Sequence, residues 1–167
     1  MARLDPDTFD PITSWRFKIQ FSKLANVNFY AKSVTLPQID NSPLIVEYGN
    51  TQMKIKGKTK WNDIDMTMYA YEYMTLEELW DYMNKLHQDI EKGTDYYGDN
   101  YKNDILIQIV APNDAPIATW TLVGAFINIL NFGEFDYSSE DIVQPKLTIS
   151  YDYALFKGNN AQTLTTP

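Results

Sequence analysis

Apolar and polar residues alternate along much of this 167-residue chain. From Ser14 to Phe21, the residues Trp15, Phe17, Ile19 and Phe21 fall on one side of an extended backbone, and Arg16, Lys18 and Gln20 fall on the other. That period predicts a half-buried strand. Lys23-Leu24-Ala25-Asn26 reads as a turn and Val27–Val34 as a returning strand, so the two are expected to pair as a hairpin. Leu36-Pro37 breaks the pattern. Ile45–Tyr48 and Gln52–Lys56 then flank Gly49-Asn50, a favourable tight-turn pair, and predict a projecting hairpin over 45–56. Ile64, Met66 and Met68 alternate with Asp63, Asp65, Thr67 and Tyr69, which predicts a strand over 62–70. Further strands are expected at Asp104–Val110, at Trp120–Leu130 with Gly124 as a bulge, and at Lys146–Phe156. The last is the longest alternation, with Leu147, Ile149, Tyr151, Tyr153 and Leu155 opposite Lys146, Thr148, Ser150, Asp152 and Ala154.

One segment keeps a helical period. Leu76, Leu79, Trp80, Met83, Leu86, His87 and Ile90 recur at steps of three and four, predicting a helix over 76–90. Thr75 is its expected N-cap, with Glu78 completing a capping box, and Gly93 lies just past its end. Its apolar stripe predicts that Trp80 packs into the core. The sum is a mainly β (α+β) chain: an antiparallel β-sandwich or barrel of about eight strands, one flanking helix and a long projecting hairpin. Residues 1–13, rich in Asp and Pro, read as an extended arm, 14–157 as a single domain and 158–167 as a flexible polar tail.

Charge changes this picture more than composition does. Lys54, Lys56, Lys58 and Lys60 stand at every second position, which on a regular strand places all four on one face. The other 10 Lys+Arg face 22 Asp+Glu, and the net charge is −8. Three readings of the ladder stay open: a solvated strand face, a surface that docks an acidic patch of another copy, and a nucleic-acid contact. The negative field of the whole chain disfavours the third. No cysteine is present, so disulfides and thiolate metal sites are excluded. No apolar run approaches the roughly 20 residues that span a bilayer.

Candidate chemistry is sparse. His87, the single histidine, sits among apolar helix positions and reads as a packed residue. Glu77, Glu78 and Asp81 fall in the early helix, where negative charge suits the helix dipole. Asp95, Asp99 and Asp104 lack calcium-loop spacing. No nucleophile elbow, phosphate-cradling glycine loop or His-Glu-x-x-His pair occurs. The expectation is a protein without catalytic residues, metal or cofactor.

Three stretches resemble the tail tube proteins of contractile-tailed bacteriophages. They are Phe17–Phe21 with Phe29–Pro37; Met53–Gly57 through Trp61–Met68 into Leu79-Trp80-Asp81-Tyr82; and Trp120–Phe126 closing on Leu147–Tyr153. The fold is shared with baseplate tube-starting proteins and the inner-tube protein of type VI secretion. The resemblance implies hexameric rings whose strands merge into a continuous barrel, stacked into a tube for genome ejection. It implies that a hairpin over 41–60 reaches the adjacent ring through Tyr48, Gly49, Asn50 and the four lysines. It further implies that Asp5, Asp7 and Phe9 of the N-terminal arm contact a neighbouring subunit, and that Thr148, Ser150 and Asp152 line the channel. Implied partners are further copies of the chain, tail sheath, baseplate and terminator proteins, and, transiently in the channel, tape measure protein and DNA. The implied location is the virion tail, assembled in host cytoplasm. The alternatives are a tube initiator, a secretion-type inner tube and, from another class, a monomeric β-barrel ligand binder with a Tyr/Trp-lined pocket.

Overall fold

The computed structural model describes residues 12–24, 31–70, 72–89 and 91–158, without the side chains of 72–75 and 85–88. In chain order the strands are β1 (Phe17–Phe21), β2 (Ala31–Val34), β3 (Ile39–Tyr48), β4 (Thr51–Trp61) and β5 (Ile64–Met68). Helix α1 (Glu72–Asp81) follows and continues as a π-helical turn over Tyr82–His87. The short β6 (Gln88–Asp89), β7 (Thr94–Asp95) and α2 (Gly98–Tyr101) lead into β8 (Asn103–Val110), β9 (Pro116–Asn131), β10 (Lys146–Ser150) and β11 (Tyr153–Gly158).

Seven strands form one sheet in the order β1-β8-β9-β10-β5-β2, with β11 also on β9. The 16-residue β9 organises it: its first half pairs with β8 and β11, and its second half pairs with β10. All these pairings are antiparallel. The inward positions of both halves meet in one apolar cluster. Ile19, Phe21, Ile105, Ile107 and Leu122 come from one half, and Ile64, Met66, Ile127, Leu147 and Ile149 from the other. The sheet therefore curls around its own core without closing into a barrel. Leu79 and Tyr82, from α1 and its π-helical continuation, are buried against this cluster.

Four sequence expectations change. The opening hairpin is not formed, because β1 pairs with β8 and β2 with β5, at opposite ends of the sheet. Edge strands find partners distant in sequence when burial on a common core outweighs a short connection. The helix starts at Glu72, so Thr75 lies inside it and is not its cap, and the α period ends at Asp81. Trp80 is 46% exposed and tilts against Phe132 at 6.3 Å, while Tyr82 takes the buried place. Finally, the last alternation is two strands. A bend at Tyr151–Asp152 reverses the faces, so Ala154 is buried and Tyr153 and Leu155 are exposed.

That reversal has a local cause. Gly124 holds φ +65° at the point where β9 slips against β8, between the pairs Asn103↔Ala125 and Ile105↔Leu122. The Asp152 carboxylate lies where a Gly124 side chain would be, and its backbone N–H donates to the Val123 carbonyl at 3.0 Å. A bulge in one strand thus bends its neighbour. The expected Gly124 bulge is present.

Candidate functional site

The strands β3 and β4 form a separate two-stranded sheet, with a tight turn at Gly49-Asn50 where Gly49 has φ +59°. Every residue of β3 is exposed, and β4 is exposed apart from the half-buried Gly57 and Trp61. At its base Trp61 stacks tilted on Tyr151, 5.9 Å between ring centres, which ties the hairpin to the core.

The register divides the lysine ladder. Lys54 lies opposite Ile45 and Lys56 opposite Pro43, but Thr59 lies opposite Asn41 and Lys60 opposite Asp40. Gly57 and Lys58 therefore share one partner, Ser42, in a β-bulge. Gly57 is needed there because a Cβ would run into the Ser42 carbonyl oxygen. Beyond the bulge the faces exchange. Lys54 and Lys56 lie on one face with Ile45 and Pro43, while Lys58 and Lys60 fall on the face of Ser42 and Asp40. The single four-lysine face expected from the sequence does not exist, because period two holds only while no residue is inserted.

On the face of Lys58 and Lys60, Leu44 pairs with Ile55 and Val46 with Met53, with Tyr48 at the tip. These apolar residues are open to solvent: Leu44 at 60%, Val46 at 41%, Met53 at 62% and Ile55 at 46%. In the sequence they fall in Leu44-Ile45-Val46 and Met53-Lys54-Ile55, where nothing marks an apolar side chain as exposed. None of the four lysines forms an ion pair among the described residues.

The remaining candidates are scattered. Thr148 and Ser150 lie on β10 opposite its buried face, and the Thr148 hydroxyl donates to Asp65 Oδ1 on β5 at 2.9 Å. Asp152 sits at the bend, with both carboxylate oxygens accepting from Lys102 Nζ at 2.9 Å, so its charge is neutralised. Asp104 accepts from the Gly124 backbone N–H, while Asp95 and Asp99 stand on β7 and α2. Among the described residues, no group of three or more His, Asp or Glu side chains could hold a metal ion. No described helix is long and apolar enough to cross a membrane. Asp5, Asp7 and Phe9 and the side chain of His87 lie outside the described residues.

One groove of about 770 Å³ lies along the segment after β9, lined among others by Glu134, Phe135, Asp136 and Asp141. Its lining contains no Tyr or Trp, and the interior of the sheet is filled by Ile, Leu and Met. This groove therefore does not have the Tyr/Trp lining expected of a ligand-binding barrel.

The structure is thus an open sheet curled on a filled core, with a long hairpin that no described element covers. The chain belongs to the family described as T4-like virus tail tube protein gp19, which it matches over residues 13–154. Solved structures share the fold. A chain of the sheath–tube complex of the extracellular contractile injection system PVC superposes with a TM-score of 0.71 at 21% identity, over 89% of this chain and 92% of that one. The tube-terminating cap of the anti-feeding prophage gives 0.73 at 18% identity, over 92% and 95%. Hcp1 from Flavobacterium johnsoniae gives 0.55 at 11% identity, over 86% and 96%. No curated protein matches the sequence.

Proposed function

We propose that this chain is the ring-forming subunit of a phage tail tube, in which hexameric rings stack around a channel for genome ejection. The observation that carries the reading is the β3–β4 hairpin. A family member with a 23-residue excursion of exposed apolar and basic residues, paired only within itself, has a surface suited to another copy. The role is structural. In this reading the hairpin tip, Tyr48, Gly49 and Asn50, and the lysines 54, 56, 58 and 60 meet the adjacent ring. Residues 1–13, with Asp5, Asp7 and Phe9, act as an inter-subunit arm, and 158–167 form a tail.

Thr148, Ser150 and Asp152 are assigned to the channel wall. Hydroxyls and carboxylates dominate these positions, and the nearby Lys102 is already engaged by Asp152, so the wall holds phosphates weakly and DNA passes. The tape measure protein occupies the same channel before ejection. Sheath, baseplate and terminator proteins are the outer and end partners, in keeping with the sheath–tube, cap and baseplate assemblies from which fold neighbours come. The tail is assembled in the host cytoplasm and becomes part of the virion.

Negative-stain electron microscopy of the purified chain across a concentration series tests this. Six-membered rings or hollow rods are the expected outcome. A monodisperse monomer, both alone and with baseplate present, contradicts it.

A further inference from the structure

Given the tube reading, on which this inference rests, the hairpin still needs a receptor. We propose that its apolar face docks on the acidic, aromatic segment Gly133–Ile142 of a second copy, with Lys58 and Lys60 meeting the carboxylates.

The two surfaces match in composition. The hairpin face presents Leu44, Val46, Met53 and Ile55, bounded at its base by two lysines. The segment after β9 presents Phe135 at 86% exposure, Tyr137 fully exposed and Ile142 at 60%. Interleaved with them are Glu134, Asp136, Glu140 and Asp141, and no Lys or Arg occurs between Phe132 and Pro145. Among the described residues none of these four acids has a cationic partner. The Ser138 backbone N–H and hydroxyl donate to Asp136 and hold its carboxyl below the usual range, which favours its charged form. Each surface thus leaves apolar area in water: the hairpin face adds two lysines against the single Asp40, and the segment adds four carboxylates, with Lys146 at the edge of the same groove. Burial of the apolar residues drives the contact, and the charges choose the partner.

Other exposed apolar patches fit less well. Tyr153, Leu155 and Phe156 on β11 adjoin Lys157, and Trp15 is covered by the Arg16 guanidinium at 4.5 Å from its ring centre. Both put a cation where the hairpin already has two. The pairing is also directional. One surface of a copy meets a different surface of the next, so the contact repeats into rings or filaments and does not stop at a dimer. Lys54 and Lys56, on the opposite face, are left outside it.

The chain has no cysteine, so single cysteines report the contact directly. Leu44→Cys and Phe135→Cys chains are mixed, assembled and oxidised, with Leu44→Cys plus Trp15→Cys as the control mixture. A disulfide requires Cα atoms about 4.4–6.8 Å apart. The expected result is a linked pair of the two different chains in the first mixture alone. In parallel, K58E/K60E and E134K/D141K are each expected to raise the critical concentration for assembly at least about tenfold, the effect of losing about 1.4 kcal/mol. The mixture of the two reversed charges in one chain is expected to recover most of that loss. Wild-type tubes with no Leu44→Cys to Phe135→Cys link, or with no charge rescue, overturn the docking pair and leave the tube reading standing. A wild-type chain that never forms rings or tubes overturns both.

Discussion

The strand pairs β5–β10 and β3–β4 are built from the same materials and end in opposite environments. Both are antiparallel, and both alternate branched or unbranched aliphatics with polar residues. In the first pair, Ile64, Met66, Leu147 and Ile149 are at most 1% exposed; in the second, Leu44, Val46, Met53 and Ile55 are 41–62% exposed. The difference is what lies opposite. The inward face of β5–β10 meets the other half of the curled sheet, whereas no described element covers β3–β4. Alternation therefore specifies that a strand has an apolar face and leaves open whether the same chain covers it. In the proposed tube subunit, the same pattern would serve folding in one place and association in another.

The sharpest test of that contrast is a matched pair of truncations. Ile149→Ala is expected to cost the isolated subunit about 2–5 kcal/mol in urea denaturation, because it opens a cavity in a closed core. Leu44→Ala, measured below the assembly concentration, is expected to change stability by less than about 0.5 kcal/mol. Equal losses would mean the hairpin packs within its own subunit. Gly124→Ala comes next, at about 1–3 kcal/mol by thermal denaturation. It puts a side chain into the left-handed region and against the Asp152 carboxylate that sets the β10–β11 bend.

Trp80→Ala should cost about 1–2 kcal/mol, short of the ~3–5 kcal/mol of a fully buried aromatic, because nearly half of the ring is already in water. A loss in the full range would place Trp80 with the core and not with the surface. The smallest loss expected of a core residue concerns Tyr82, whose hydroxyl donates to the Tyr101 carbonyl at 2.6 Å. Burial pushes its pKa up to about 12 from an ordinary value of 10.0. The folded state thus favours the protonated phenol. The stability this contributes is fully present below pH 10 and is lost as the pH rises through 12. Tyr82→Phe should cost about 1 kcal/mol at neutral pH and flatten the decline over that window in pH-dependent denaturation. An unchanged alkaline slope would mean another group titrates there.

Much of the fold was legible because strand period and propensity are local. Ile64–Met68, Asn103–Val110 and the body of β9 lie where alternation and β-branched residues put them, and Gly124 marked its bulge. Pairing was not legible, because β1 meets β8 far along the chain, from Phe21↔Ile105 to Phe17↔Ile109, through contacts that no local pattern encodes. Nor were the changes of period. One inserted residue at Gly57–Lys58 splits the lysines between two faces, and the bend at Asp152 turns one long alternation into two strands whose inward positions differ in parity. Gly57 inside the lysine pattern was the available signal for the first, whereas the second has no glycine in its own alternation and its mark, Gly124, lies on β9. The helix start was misplaced because Thr75-Leu-Glu-Glu78 satisfies a cap sequence although the backbone is already helical at Glu72. For the candidate site, the lysines of the hairpin stand out in the sequence and its exposed apolar positions do not. An exposed and a buried Leu look alike in sequence.

The central claim is that the apolar face of β3–β4 is covered by another copy of the chain. A helical cryo-electron microscopy reconstruction of assembled tubes, at a resolution that shows side chains, tests it most directly. The account predicts Leu44, Val46, Met53 and Ile55 buried against a neighbouring subunit, with Lys58 and Lys60 beside carboxylates. Tubes in which this face remains open to solvent would contradict it.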